Sequence, residues 1–290
     1  MADLVKPNVL KGAACIAASA FGFAVMALAV RLCDDFGAPV SSFQKAFFRN
    51  IVALCMALAV FVRRRGASGA VRVAFPPSLW LRATLGTVGI FANFYALSHI
   101  PIAEGQTLNK TAPFFTVLFA WLFLGERASA RQWTAIAAAF AGATLVIKPA
   151  FAGAAAFPLA MGLLGGIGAG GAYACLRRLA VIGIDGAFVV LFFSAFSCVA
   201  ALPFMAAGLD PMNWRQVLVL VGAGAGAALG QFGITAAYRF APPREIAVFD
   251  YLNIPFTVVL GIVFLGQVPD LLSAVGMAVI LLAAVRLRFP

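Results

Sequence analysis

Ten runs of apolar residues follow one another along this 290-residue chain, at 10–30, 43–62, 79–98, 104–124, 131–149, 157–178, 187–207, 214–237, 244–265 and 270–288. A helix needs roughly 20 such residues to cross the hydrocarbon core of a bilayer. Short connections separate the runs and leave no room for a soluble domain. Inside a bilayer every backbone N–H and C=O must be satisfied within the protein, so only helices and closed barrels can span it. A barrel needs short strands with alternating faces, whereas IAAAFAGATLVI at 136–147 is apolar throughout. The expected fold is an all-α integral membrane protein with ten transmembrane helices.

Composition excludes the alternatives. The chain is 63% hydrophobic and 11% charged, against about 45–50% and about 25% in soluble domains. That rules out a disordered chain, a disulfide scaffold and an ordinary soluble enzyme. The net charge of +11 is a matter of topology. With both termini cytoplasmic, the inner segments hold Lys6, Lys11, Arg63, Arg64, Arg65, Arg72 and Arg82, then Arg127, Arg131, Arg177, Arg178, Arg239, Arg244, Arg286 and Arg288. The outer ends hold only Arg31, Lys148 and Arg215. This is the positive-inside pattern. The expected partner of the basic residues is therefore the lipid bilayer and not nucleic acid. The first run continues to Val30, so an uncleaved first helix is expected rather than a signal peptide. Cys15, Cys33, Cys55, Cys175 and Cys198 form no C-x-x-C pair and read as small core hydrophobes.

The chain also repeats itself. A shift of 141 positions aligns Gly89 with Gly230, Phe91 with Phe232, Pro101 with Pro242 and Glu104 with Glu245. The same register brings Phe115-Thr116-Val117 onto Phe256-Thr257-Val258, and Phe123-Leu124-Gly125 onto Phe264-Leu265-Gly266. The halves are read as 1–150 and 151–290, joined by FAGAAA at 151–156. Each holds five spans. Two like folds with an odd number of spans must be inverted relative to each other, a recurrent design of secondary transporters.

Three stretches carry a family resemblance: FFRNIVAL at 47–54, FYALSHIPIAEGQTLNKTAPFFTVLFAWLFLGERAS at 94–129 and AAYRFAPPREIAVFDYLNIPFTVVLGIVFLGQ at 236–267. The chain resembles the drug/metabolite transporter superfamily in its ten-helix form with two EamA-type repeats. The resemblance implies a bacterial inner-membrane secondary carrier, usually an exporter, and no substrate. The second copy departs from the pattern: Gln267 stands where the first has Glu126, and Pro113 and Pro255 miss the common register by one residue.

Charged side chains at membrane depth are functional candidates. The second run carries Gln44, Lys45 and Arg49, the fourth Glu104, Gln106, Asn109 and Lys110, and the ninth Glu245, Asp250 and Asn253. They are expected to line a polar cavity between the halves. Lys45, Arg49 or Lys110 would hold an anionic group; Arg suits this best, since its planar fork grips a carboxylate with two bonds. Asp250 would be a counter-ion or proton carrier. The competing role for all of them is charge pairing that fixes helix packing, and Glu104 and Glu245 also suit helix starts. Pro113 and Pro255 are read as mid-helix breaks that free the carbonyls of Asn109 and Tyr251. Phe47, Phe48, Phe91, Tyr95, Tyr173, Tyr238 and Tyr251 are candidates to stack on a substrate, with core packing as the competing role.

Other motifs carry little. GIGAGG at 166–171 matches G-x-G-x-x-G but lies in an apolar helix with no strand before it, which argues against a dinucleotide site. Gly162, Gly166 and Gly170, like Gly222, Gly226 and Gly230, read instead as small faces for close helix approach. His99, the only histidine, cannot supply a metal site. No P-loop is present, and no cofactor or metal is expected. An enzyme would need a catalytic His or an acidic pair at a membrane face, and a channel a ring of like charge. The reading is a carrier of a small polar or amphipathic metabolite such as an amino acid. It would work by alternating access, driven by protons or by exchange. The alternatives are a non-transporting receptor or partner, and a transporter of drug- or lipid-like compounds.

Overall fold

The computed structural model describes residues 8–38, 40–68, 73–99, 108–147, 156–206, 208–266 and 270–288. Among these the secondary structure is helical, with no strand. The helices are α1 (Val9–Asp35), α2 (Ser42–Ser68), α3 (Pro77–His99), α4 (Ala112–Leu124), α5 (Ala130–Ile147), α6 (Ala156–Val181), α7 (Gly186–Ala206), α8 (Trp214–Phe240), α9 (Pro243–Leu265) and α10 (Leu271–Arg288). Six of them, α1, α2, α6, α7, α8 and α9, are long and apolar enough to cross a membrane. Helix α4 and the segment 271–283 of α10 are shorter apolar helices, and α3 and α5 complete the ten. Most of the expected linker, together with Glu104, Gln106 and Gln267, lies outside the described residues.

Local chemistry sets the helix ends. Asn8 caps α1 by accepting from the Lys11 N–H at 3.0 Å. Asn213 and Gln216 form a reciprocal capping box on α8. Asp185 accepts from the N–H groups of Ala187 and Phe188 at the start of α7. Helices α4 and α9 both end on a glycine in the left-handed region, Gly125 at φ 71° and Gly266 at φ 64°. These occupy one position in the 141-residue register, so the repeated FLG motif is a repeated helix stop.

The principal contacts join one half to the other: α1 to α8, α3 to α6, α2 to α7 and α5 to α10. Exchanging the halves turns α1–α8 into α6–α3 and leaves the other two pairs unchanged. That is the contact pattern of two inverted five-helix repeats, and it makes them interlock rather than stand side by side.

Glycine allows this interlocking. A Cβ on Gly22 would lie 2.7 Å from the Gly226 carbonyl oxygen, and one on Gly226 would lie 2.7 Å from that of Gly22. At the equivalent α3–α6 crossing, a Cβ on Gly168 would lie 2.8 Å from the Leu85 carbonyl oxygen. Gly142 and Gly276 meet in the same way between α5 and α10. Gly166 and Gly170 seat the start of α4, where added carbons would meet Leu108, Thr111, Ala112 and Phe115. Gly222 does not share this role, since nothing lies within 4 Å of its Cβ position. Cys55 likewise departs from the expected core set and is exposed on the lipid side.

Backbone cannot retreat as a side chain can. Gly226→Val should therefore destabilise the protein by about 1–3 kcal/mol, while Gly222→Ala in the same helix should be neutral or slightly stabilising. Thermal unfolding of both variants in detergent checks the contrast, and equal midpoints would refute the close crossing.

Candidate functional site

The polar residues converge where α4 and α9 lose regular geometry. Helix α9 opens with one turn at Pro243–Ile246, tightens to a 3₁₀ segment at Ala247–Leu252 and becomes regular from Asn253. Ahead of α4 the chain turns at 110–111, where the Thr111 hydroxyl donates to the Leu108 carbonyl at 2.6 Å. The prolines are thus not mid-helix. Pro113 stands in the first turn of α4 and Pro255 in the first turn of the regular part of α9. There a missing N–H costs nothing and the fixed φ suits the helix. The irregular backbone precedes each proline, on the side where the missing N–H and the ring act.

The two irregular starts meet. Lys110 and Tyr251 are equivalent in the 141-residue register, and the buried Tyr251 hydroxyl donates to the Lys110 carbonyl at 2.9 Å. Their neighbours Asn109 and Asp250, also equivalent, both line the cavity described next. The pseudo-two-fold axis therefore passes beside this contact. Thr116 and Thr257, again equivalent, each donate back to the carbonyl four residues earlier, at 2.8 and 2.7 Å.

A cavity of about 840 Å³ opens beside this axis, within the roughly 300–1,000 Å³ of small-molecule sites. Helices α1 and α2 line it with Phe23, Arg31, Lys45 and Arg49, and α3 with Arg82 and Asn93. Asn109 and Lys110 come from ahead of α4, Tyr173 from α6, Phe193 from α7, Gln231 from α8, and Asp250 and Asn253 from α9. Its floor holds two guanidinium groups. Arg49 is 7% exposed and lies 6.0 Å from the centre of the Phe23 ring. Arg82 is 2% exposed, donates from Nη2 to Gln231 Oε1 at 2.8 Å and stacks 4.0 Å over Phe193. Gly86, one turn later, leaves room for that guanidinium, since a Cβ there would collide with Nη1. Asp250 sits within electrostatic reach of Lys110, Tyr173 and Tyr251.

The cavity takes in Lys45, Arg49, Asn109, Lys110, Asp250 and Asn253 of the expected set. Asn253 also ties α9 to α1 by donating to the Ala20 carbonyl at 2.9 Å. Four others serve elsewhere. Gln44 exchanges two hydrogen bonds with the Asp210 backbone, at 3.0 and 2.9 Å, and fastens α2 to the connection before α8. Glu245 lies 3.8 Å from Arg244, partly exposed at the end of the bundle that carries the N-terminus of α1. Tyr95 stacks on His99 at 4.1 Å between centroids, and Tyr251 supports the Lys110 turn. Arg82 is the reverse case. It was expected among the cytoplasmic loop charges, and it is instead buried in α3 at the cavity floor. Its signal was position: it falls inside the third apolar run, four residues before a glycine.

The cavity reaches Arg31, Ser42, Val146 and Leu265, all at the face opposite the N-terminus of α1. The other end is filled by an apolar cluster that includes Leu176, Leu179, Phe188, Ile234 and Ile246. Polar ties between the halves surround that plug. Arg177 pairs with Glu126 of the other half at 2.8 Å and, within its own half, donates to the Tyr238 carbonyl at 3.2 Å. Arg64 pairs with Asp185 at 3.1 Å, and Arg244 donates to the Arg127 carbonyl at 3.0 Å.

Comparison with known proteins agrees with this architecture. Residues 10–148 match the EamA-like transporter family. The pseudopaline exporter CntI of Pseudomonas aeruginosa (strain UCBPP-PA14) is 29% identical over 286 residues, covering 98% of this chain and 97% of its own. A riboflavin transporter of Rhizobium johnstonii is 31% identical over 232 residues, covering 77% of this chain and 74% of its own. A solved crystal structure with 17% identity matches 95% of both chains at a TM-score of 0.78, which speaks for the fold alone.

Removal of the Tyr251 hydroxyl would leave a buried carbonyl unpaired at membrane depth. Tyr251→Phe should cost about 1–3 kcal/mol, read as a lowered unfolding midpoint in detergent. An unchanged midpoint would show that this bond does not hold the two irregular starts together.

Proposed function

This chain belongs to the EamA-like transporter family of the drug/metabolite transporter superfamily, as a multi-pass membrane protein, and from that premise we propose that it is a secondary carrier exporting a small polar or amphipathic metabolite across a bacterial inner membrane. Its halves, 1–150 and 151–290, would act as the two inverted units, with both termini cytoplasmic. The exporting direction is supported by the relative named as a pseudopaline exporter. Riboflavin, named for another relative, shows how wide the range of cargo is among the proteins this chain resembles.

One observation carries the reading: among the described residues a polar cavity reaches the face of Arg31 and Ser42, and an apolar cluster fills the other end. The open end of the cavity is lined mainly by the C-terminal half of α1, the start of α2, α3 and the start of α4, with Val146 of α5 and Val258, Gly261 and Leu265 of α9 completing it. The plug at the other end is built mainly from the C-terminal half of α6, the start of α7, the end of α8 and the start of α9, with Ile16 of α1 and Leu79 of α3 packed among them. The principal parts of the one are the principal parts of the other in the opposite repeat. Exchanging the conformations of the two halves would close the first set and open the second, which is alternating access. In the proposed orientation the structure is the outward-facing form. Arg49 would hold the anionic group of the cargo, and Asp250 beside Lys110 would act as counter-ion or proton carrier.

Flux in proteoliposomes tests the function. Pools of labelled amino acids, nucleosides and organic acids would be loaded with and without a pH gradient. Saturable, protein-dependent movement of one pool is expected; a response to the gradient would identify proton coupling. Movement of no pool by folded protein would overturn the metabolite reading. Arg49→Gln should cut the flux to below about one tenth, the equivalent of a lost charged hydrogen bond of roughly 1.5–3 kcal/mol, while the protein stays folded.

The plug makes a separate prediction. The Glu126–Arg177 pair is partly buried, so breaking it costs less than the roughly 3–5 kcal/mol of a fully buried pair, yet Arg177→Gln should still shift the carrier toward the inward-facing form. In a background lacking the five native cysteines, a Leu179→Cys label site should then react faster with an impermeant maleimide from the cytoplasmic side. Unchanged reactivity would remove the Glu126–Arg177 pair from the gate.

A further inference from the structure

We propose that the cargo carries at least two negative charges and that Arg49 and Arg82 together compensate them. The word cargo rests on the carrier reading above; the anion site rests on the cavity itself.

Among the described residues, five cationic side chains line the cavity, Arg31, Lys45, Arg49, Arg82 and Lys110, against one carboxylate, Asp250. Arg31 and Lys45 stand toward the open face, where water screens them. Arg49 and Arg82 do not have that relief. Both are more than nine-tenths buried, and no described carboxylate lies within ion-pair distance of either. The Nε–H of each is buried without an acceptor, and the two groups are near enough to repel each other. Asp250 already has Lys110 within electrostatic reach.

The surroundings of Arg82 hold its guanidinium in place without neutralising it. Gln231 accepts one N–H, the Phe193 ring covers one face, and Gly86 clears the space. A neutral amide accepts a hydrogen bond but leaves the full positive charge for something else. Two guanidinium forks lining one cavity present more N–H donors than one carboxylate can accept from. A neutral solute would leave both charges uncompensated once the cavity closed over it, and a monoanion would leave one. A dianion compensates both. A dicarboxylate and a phosphate ester share this chemistry, and the probes below separate them.

The test uses the full chain in nanodiscs and measures binding by titration calorimetry. The probes are succinamide, succinamate, succinate, tricarballylate and glycerol phosphate, which step the charge on small skeletons. Succinate or tricarballylate should bind about ten- to a hundredfold more tightly than succinamate, as expected for one more charged hydrogen-bonded contact, and succinamide should bind weakest. Tight binding of glycerol phosphate alone would identify a phosphoryl group as the source of the charge. Arg49→Gln and Arg82→Gln should each weaken dianion binding by at least about tenfold. Because Arg82 also bridges α3 to α8, Gln231→Glu is the sharper variant. It gives Arg82 a resident carboxylate, so dianion affinity should fall about tenfold while the unfolding midpoint holds or rises. Arg215→Gln, at the start of α8 and away from the cavity, should change nothing.

Succinamide binding as tightly as succinate would overturn the proposal. So would undiminished dianion affinity in Gln231→Glu, or no binding of any dianion up to about 10 mM. Flux of a neutral solute with no preference for charge would overturn this inference and leave the carrier reading standing. Tight dianion binding without flux would do the reverse.

Discussion

A guanidinium group cannot be left bare at membrane depth. Placing one at the centre of a spanning helix costs roughly 2.5–3.5 kcal/mol on insertion scales, and burial without a partner adds a penalty of several kcal/mol. Arg49 and Arg82 impose that cost twice, within reach of each other. Much of the surrounding structure follows from containing it. An aromatic face, an amide oxygen and a space cleared by Gly86 must meet around Arg82, and they come from α7, α8 and α3. Helices from both repeats can reach one point only if their backbones approach closely elsewhere. The glycine crossings of α1 with α8 and α3 with α6 provide that approach. Charge at the floor and glycine at the crossings are two parts of one arrangement.

The backbone is nearly symmetric and the charge is not. In the 141-residue register Arg49 falls opposite Val190 and Arg82 opposite Ala223, two buried apolar residues. The second repeat therefore has no copy of the cation floor. One end of the bundle is polar and open, and its counterpart is an apolar plug closed by side-chain packing. The plug still needs specificity, since apolar surfaces alone would slide. The Glu126–Arg177 and Arg64–Asp185 pairs supply it at the rim, where partial exposure lowers the desolvation cost of each charge. In the proposed cycle a single cation site would serve both open forms, and the symmetric backbone would change which face it sees.

The span count and the inverted repeat could be read from sequence because lipid leaves the backbone so few options. Long apolar runs have to be helices, and an odd number of them per half has to invert. Individual polar residues were less legible. Arg82 and Arg63 look alike in one dimension: both are arginines near the end of an apolar run. What separates them is the direction of one helix face, and that direction depends on Phe193 and Gln231, more than 100 residues away in sequence. Gln44 misled in the opposite sense. It lies one residue from Lys45 and five from Arg49, but that step turns it toward the Asp210 backbone instead of the cavity. The prolines marked true irregularities but not whether each starts a helix or breaks one, because the two are the same letter.

The contact between Lys110 and Tyr251 explains why the site sits where it does. Equivalent residues of two repeats can touch only beside the pseudo-two-fold axis, and there the motion that exchanges the halves displaces atoms least. In the proposed cycle a binding group placed on that axis would stay put while the ends of α4 and α9 swing. The irregular backbone at 110–111 and 247–252 lies at the same place, where a helix can change direction without breaking a full ladder of hydrogen bonds. Asn109 and Asp250, the neighbours of that contact, break the symmetry by a single carboxylate. That carboxylate has the Lys110 ammonium within electrostatic reach, so this departure from two-fold equivalence at the contact is a difference of charge.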